Sequence, residues 1–261
     1  AGIQGLAHMQ TERGADIIDV NVGSQPPDVM GTLVPLVQEV TELPVSIDTP
    51  QPAVAEAGLR AYDPAKSGGR KPLLNSVSPL RLDMLDLYEV QPFCPMLMVS
   101  EREENGRSQP NKTGEAIHET ARDMVAAAQD ANSAIRVADC ILDPGIPSVG
   151  SDVEGLVKAL FDALERIHSD PDLEGIHISV GLSNFTTMLP PKRKDGTPVR
   201  SALESAFLTR AMPLGLDTVI GSVKRNYRIL EADDPALQCL DEVLQLDGPD
   251  AIRRVVDFYA G

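Results

Sequence analysis

The sequence has few of the residues that build metal or disulfide sites. It contains no tryptophan, four histidines and three cysteines, and the cysteines are Cys94, Cys140 and Cys239. No Cys-x-x-Cys pair or Cys/His cluster occurs, so the spacing predicts neither a disulfide framework nor a bound metal. Widely spaced, unpaired cysteines are typical of a reducing compartment, and we expect a cytoplasmic protein.

Basic residues and long apolar runs are also scarce. Lys and Arg number 23 against 39 Asp and Glu, which gives a formal net charge of −16. A phosphate-binding surface needs clustered Lys and Arg, so nucleic acid is not an expected partner. No apolar run approaches the roughly 20 residues that cross a bilayer, so a membrane is not expected either.

Short apolar segments alternate with amphipathic helical segments along the chain. A helix is predicted over residues 1–13, and about seven strand-plus-helix units follow it. No change of composition marks a boundary, so residues 1–261 are expected to form one domain. The alternation favours a (β/α)8 TIM-type barrel over an open doubly wound sheet. The Gly-x-Gly-x-x-Gly fingerprint of a doubly wound nucleotide-binding sheet is absent after the first strand. One strand is missing from the count, and we expect the first strand to precede Ala1.

Four local predictions concern helix starts and loops. The second helix is expected over residues 31–43, and the third is expected to have Thr49 as its N-cap with Pro50 at the first helical position. Residues 101–111 are polar and carry several like charges, which is typical of an exposed loop. Residues 190–198 form a basic loop punctuated by Pro and Gly.

Polar side chains end several of the predicted strands. The strand ends of a parallel barrel meet at one mouth, so we expect these residues to share a pocket: Asp19, Asn21, Asp48, Asn75, Asp143 and Asn184. Carboxylates and carboxamides suit a flat nitrogen heterocycle, which offers N–H donors and ring-nitrogen acceptors. For any one position, the alternative is a helix N-cap or a turn residue.

Nucleophilic catalysis has no support in the sequence. No Gly-x-Ser-x-Gly motif occurs, and His177, the histidine on a predicted strand, is expected to pack in the core because no carboxylate or nucleophile motif adjoins it. The predicted site therefore binds, orients and polarises its ligand.

Taken in order, six segments resemble the pterin-binding barrel family: residues 14–23, 46–49, 75–76, 142–144, 180–184 and 215–217. Within that family the chain is similar to the methyltetrahydrofolate:corrinoid methyltransferases. The resemblance implies methyl transfer between N5 of tetrahydrofolate and the cobalt of a corrinoid carried on a separate corrinoid protein. It also implies a homodimer.

The resemblance gives the strand-end residues particular roles. It implies that Asp48, Asn75 and Asp143 hold the pterin ring, and that Asn184 is the catalytic residue that hydrogen-bonds near N5. It also implies that Ser183, Gly181 and Arg200 line the same mouth.

Two other functions stay open. Dihydropteroate synthase shares the barrel, but its Ser/Thr-Arg-Pro-Gly loop is replaced here by residues 24–28, which contain no Arg. A non-catalytic pterin-binding subunit is the other alternative, since fold does not fix function. The Asp-x-His-x-x-Gly cobalt-ligand motif is absent around all four histidines, so a partner is expected to supply the corrinoid. The direction of transfer is open. The loop at 190–198 is expected to contact a folate glutamate tail or the corrinoid protein, or to be only solvated.

Overall fold

The structure is a computed structural model that describes residues 2–260. Its strands are β1 (Ile18–Asn21), β2 (Val45–Asp48), β3 (Leu73–Val77), β4 (Cys94–Met98), β5 (Glu101–Glu104), β6 (Arg107–Pro110), β7 (Ile141–Asp143), β8 (His177–Gly181) and β9 (Leu216–Ile220). Its helices are α1 (Ile3–Glu12), α2 (Pro27–Gln38), α3 (Pro52–Ala61), α4 (Gly114–Ala131), α5 (Leu156–Ser169), α6 (Arg200–Ala211), α7 (Pro235–Val243) and α8 (Gly248–Ala260).

Seven parallel strands form one curved sheet in the order β1-β2-β3-β4-β7-β8-β9. Helices connect these strands in sequence, with a 3-10 segment in place of an α-helix between β3 and β4, and this confirms the predicted (β/α)8 barrel class. Within residues 2–260 no strand pairs with the outer edge of β1 or of β9. The strand that we expected before Ala1 lies outside the described residues.

Buried apolar side chains form two separate clusters. The larger cluster lies between the sheet and the helices and includes Val45 and Ile47 of β2. The smaller one contains Leu73, Met96 and Ile141, with Ile220 packed against it. Successive strand side chains point to opposite faces, so the smaller cluster lies on the inner face of the curved sheet. It forms the apolar floor beneath the polar strand ends.

Two predictions about helix starts were wrong. The second helix begins at Pro27, because Pro27 suits the first helical position and Asp28 supplies an acid to the first turn. The N-cap of α3 is Gln51, not Thr49, and the Thr49 hydroxyl instead accepts a hydrogen bond from the Gln51 amide at 3.2 Å.

The prediction of a loop at 101–111 was also wrong. These residues form an exposed antiparallel hairpin of β5 and β6. Asn105 and Gly106 make the turn with φ values of 53° and 74°. An Asn-Gly pair with both φ angles positive is the preferred two-residue hairpin turn. The connection between β3 and β4 contains a 3-10 segment over Leu82–Glu89.

Two further observations concern the chain as a whole. Among residues 2–260, no helix is both long and apolar enough to cross a bilayer. Cys94, Cys140 and Cys239 are free thiols. Burial raises the pKa of Cys140 to about 12 and that of Cys239 to about 11, so neither is a reactive thiolate at neutral pH.

Candidate functional site

Three predicted site residues lie side by side on neighbouring strands. Asn21 of β1 is in register with Asp48 of β2, and Asp48 is in register with Asn75 of β3. The Asn21 Nδ2 donates a hydrogen bond to Asp48 Oδ2 at 2.7 Å, and the Gly23 amide donates to Asn21 Oδ1 at 2.7 Å. Parallel pairing and these hydrogen bonds therefore hold a row of acceptors and donors along the inner face.

A cavity of about 480 Å³ opens at the carboxyl ends of the strands. Six of the predicted site residues line it: Asp48, Asn75, Asp143, Gly181, Ser183 and Asn184. Met98, Ile146 and Ile220 add apolar surface. A polar rim above an apolar floor suits a flat heterocycle whose edge carries hydrogen-bonding atoms. We call this cavity the strand-end pocket.

Asp143 ends β7 and is held by the turn that follows it. The Gly145 amide donates to Asp143 Oδ1 at 2.8 Å. Gly145 has φ +70°, and a Cβ there would lie 2.8 Å from the Cβ of Ser100, so the turn requires glycine. Burial raises the pKa of Asp143, and the Gly145 hydrogen bond offsets part of that rise.

Asn184 lies on a one-turn 3-10 segment, Leu182–Thr186, directly after β8. Leu182 and Phe185 are fully buried, which anchors the turn and leaves Ser183 and Asn184 exposed toward the pocket. A Cβ on Gly181 would lie 3.0 Å from Asn184 Nδ2, so the glycine makes room for the carboxamide. Within residues 2–260 the Asn184 side chain makes no hydrogen bond, and it is therefore available to a ligand.

Asp19 lies on the same face of β1 as Asn21 but lines a different space. It borders a groove of about 790 Å³ between β1 and β9. Although the side chain is exposed along this groove, surrounding protein atoms desolvate the carboxyl and raise its pKa to about 6. The neighbouring Asp48 adds to the rise, whereas the side chains of Ser46 and Asn75 oppose it.

Arg200 does not line the strand-end pocket. Its Nε donates to the Leu189 carbonyl oxygen at 2.7 Å, and its side chain borders a neighbouring cavity. The cation at the strand-end pocket is Arg81, which we did not predict. Arg81 Nη1 donates to the Pro50 carbonyl oxygen at 3.2 Å, while its buried Nε has no partner within the described chain. Its position four residues beyond β3 was the available signal.

His177 was expected to pack in the core, and this was wrong. It begins β8 at the amino end of the strand, where its side chain is 46% exposed and its Nδ1 lies 2.6 Å from Asp217 Oδ2. Both residues border the groove between β1 and β9, not the strand-end pocket. Across residues 2–260 no three His, Cys, Asp or Glu side chains are grouped so that they could hold a metal ion.

Comparison with known proteins gives a family, a relative and a shared fold. The profile of the family described as "Pterin binding enzyme" matches residues 3–221. A protein of Eubacterium limosum named methylcorrinoid:tetrahydrofolate methyltransferase is 28% identical over 228 residues, which cover 84% of this chain and 75% of that protein.

Two solved structures have a similar fold. One is a Yersinia pestis DHPS with a pterine-sulfa conjugate, at TM-score 0.55 and 16% identity, covering 94% of this chain and 90% of that chain. The other is a dihydropteroate synthetase with a product, at TM-score 0.56 and 17% identity, covering 93% and 88%. At these identities the likeness concerns the fold alone.

Proposed function

Since this chain belongs to the pterin-binding enzyme family, we propose that it is a methyltransferase that acts on tetrahydrofolate and a corrinoid. It would move a methyl group between N5 of tetrahydrofolate and the cobalt of a corrinoid carried on a partner protein. The observation that carries the proposal is the convergence of Asp48, Asn75, Asp143 and Asn184 on one pocket. The 28% identity to a methylcorrinoid:tetrahydrofolate methyltransferase supports it.

The row along the inner face supplies the groups that a pterin ring needs. A pterin edge offers N–H donors beside ring-nitrogen acceptors. Asp48 accepts hydrogen bonds, and Asn75 both donates and accepts them. Asp143, fixed by the Gly145 amide, supplies a second carboxylate from the end of β7. These residues would bind and orient the ring, while Met98 and Ile220 contact its face.

Asn184 would assist the transfer itself. A tertiary amine leaves poorly, so N5 needs a hydrogen bond or a proton as its bond to the methyl carbon breaks. The Asn184 amide can donate a hydrogen bond to N5, and a dipole already held in place stabilises the developing charge. An amide cannot act as a general acid, so the proton that N5 gains would come from solvent or a neighbouring carboxylate.

The corrinoid would reach the site from outside the chain. The strand-end pocket is open at the carboxyl ends of the strands, where a partner could present cobalt to N5. The Asp-x-His-x-x-Gly cobalt-ligand motif is absent around all four histidines of the sequence. We therefore propose a separate corrinoid protein as the partner.

Dihydropteroate synthase is the second candidate, and Arg81 is the observation that favours it. Recognition of a diphosphate generally uses Arg or Lys, and Arg81 brings one guanidinium to the pocket.

The two candidates can be distinguished by giving the same protein preparation two separate substrate mixtures and identifying the products by mass spectrometry. We expect methylcobalamin from methyltetrahydrofolate and reduced cobalamin. Dihydropteroate formed from a pterin diphosphate and aminobenzoate, without methylcobalamin, would reject the proposal in favour of the synthase.

A further inference from the structure

A second cavity, of about 890 Å³, lies between the first turns of α6 and α7. Six cationic side chains from two loops and the start of α6 line it: Lys192, Arg193, Arg200, Lys224, Arg225 and Arg228. Asp234 is the acid among its lining residues. In a chain with a net charge of −16, this is a marked local concentration of positive charge. We call it the cationic cavity.

Among residues 2–260, carboxylates neutralise two of these six cations. Arg225 pairs with the fully buried Glu204, and Arg228 pairs with Asp234 at 3.2 Å. Within residues 2–260 the other four have no carboxylate partner: Lys192, Arg193, Arg200 and Lys224.

Contacts with neutral groups hold two of these four side chains. Arg193 lies 4.4 Å from the centre of the Phe258 ring. Arg200 Nε donates to the carbonyl oxygen of Leu189. These contacts fix the guanidinium groups but leave their charge free to meet an anion.

The first turn of α6 borders the same space. Val199, the N-cap of α6, makes no side-chain capping hydrogen bond, and Ser201 and Ala202 of the first turn line the cavity. The first amides of a helix lack intrahelical acceptors and carry the positive end of its dipole. They therefore add to the attraction that the four free cations exert on a negative group.

The cationic cavity adjoins the strand-end pocket through two short connections. Lys192 lies six residues beyond Thr186, which ends the turn that carries Asn184. Lys224 lies four residues beyond Ile220, which lines the strand-end pocket. Four extended residues span at most about 14 Å. A long ligand whose ring occupies the first site can therefore extend an acidic chain into the second.

We propose that the cationic cavity binds the γ-linked glutamate chain of the folate whose pterin ring occupies the strand-end pocket. This inference rests on the proposed function. Each added glutamate brings one carboxylate, and a row of carboxylates on a narrow chain matches cations spread over two loops. A recess between two helix starts admits such a chain more readily than the folded surface of an acidic protein.

The test compares the affinity of tetrahydrofolate carrying one glutamate with that carrying five, by calorimetry and with no partner protein present. Exposed ion pairs contribute modestly, so at low salt we expect the five-glutamate form to bind roughly tenfold more tightly. Lys192→Gln/Lys224→Gln should reduce this preference to about twofold or less. Raising the salt should weaken the preference in the wild type.

Two control variants make the test specific. Lys66→Gln removes an exposed lysine from the α3–β3 connection at the opposite end of the sheet, and it should keep the preference. Lys192→Arg/Lys224→Arg keeps both charges and should keep it as well. Thermal melts check that every variant is folded.

Equal affinity for the two forms, no binding of either, or a preference that survives in Lys192→Gln/Lys224→Gln would overturn the inference. The outcome is separable from that of the proposed activity. A tail preference without methyl transfer keeps the subsite and rejects the methyltransferase. Methyl transfer without a tail preference keeps the methyltransferase and rejects the subsite.

Discussion

At the scale of single residues, Asn184 is the side chain on which the proposed chemistry depends most. Its carboxamide lies over Gly181 and points into the strand-end pocket without a partner among residues 2–260. A donor that acts chiefly in the transition state affects the rate more than ground-state binding. The two effects can therefore be measured separately.

Asn184→Ala should lower the single-turnover rate of methyl transfer about 100-fold, the scale on which loss of one preorganised donor acts. The dissociation constant for methyltetrahydrofolate, from calorimetry, should change by less than about threefold, because the ring contacts remain. Asn132→Ala is the matched control. Asn132 lies away from the pocket, and its Nδ2 donates a hydrogen bond to Glu89 Oε1 at 2.7 Å. Equal losses of rate and affinity would contradict the role.

Ionisation of the Asp143 carboxyl should make the affinity for tetrahydrofolate depend on pH. Burial raises its pKa, so it takes up a proton at a higher pH than an ordinary aspartate does. If the ionised carboxyl accepts hydrogen bonds from the pterin, tetrahydrofolate affinity should fall as the pH falls through that raised pKa. In Asp143→Asn the affinity should be lower at neutral pH and nearly independent of pH over this range. Identical pH profiles for wild type and variant would contradict the assignment.

The polar residues that end the strands of the pocket could be predicted because the relevant rule is local. A polar residue that ends a buried strand lies at the carboxyl edge of a parallel sheet, as Asp48, Asn75 and Asp143 do. Arg81 could not be predicted in this way, because it reaches the pocket from a loop, and a loop sequence does not fix side-chain direction. Arg200 shows the same limitation, since its guanidinium turns toward Leu189.

At the scale of elements, α6 ties together the connections that follow β8 and β9. Glu204 of α6 is fully buried, accepts a hydrogen bond from Thr186 and pairs with Arg225. Thr186 closes the turn that carries Asn184, and Arg225 lies in the segment that lines the cationic cavity. One buried carboxylate therefore holds both proposed ligand-binding segments against the same helix.

Glu204→Ala should destabilise the protein by about 3 kcal/mol, since removal of one partner leaves the other group of a buried ion pair uncompensated. The value lies at the low end of the usual range because the Arg225 side chain keeps 26% exposure. Urea unfolding measures the change. Glu165→Ala, an exposed glutamate on α5, is the control and should stay within about 0.5 kcal/mol of wild type. A similarly small effect of Glu204→Ala would contradict the account.

Element type followed from the sequence wherever a hydrophobic period was present. The parallel strands and their helices were predicted because apolar residues recur at strand or helix spacing. The hairpin of β5 and β6 has no buried face, so its exposed residues show no such period. Asn105-Gly106 was the remaining signal, and turn chemistry alone would have identified it.

At the scale of the whole molecule, the strand-end pocket and the cationic cavity differ in charge although they are neighbours. Within the described residues 2–260 of a chain with net charge −16, four cations without a carboxylate partner line one cavity beside a pocket lined by carboxylates and amides. The pocket suits the ring of a folate, and the cavity suits its acidic tail. The open face above the pocket leaves access for a corrinoid on a partner.

The most direct test of the central claim follows the absorbance of Co(I) cobalamin in the presence of the protein and methyltetrahydrofolate. We predict that the Co(I) band disappears only when protein, folate and cobalamin are all present, and that tetrahydrofolate and methylcobalamin form in equal amounts. A Co(I) band that persists with the complete mixture, both for free cobalamin and for a corrinoid protein, would contradict the methyltransferase function.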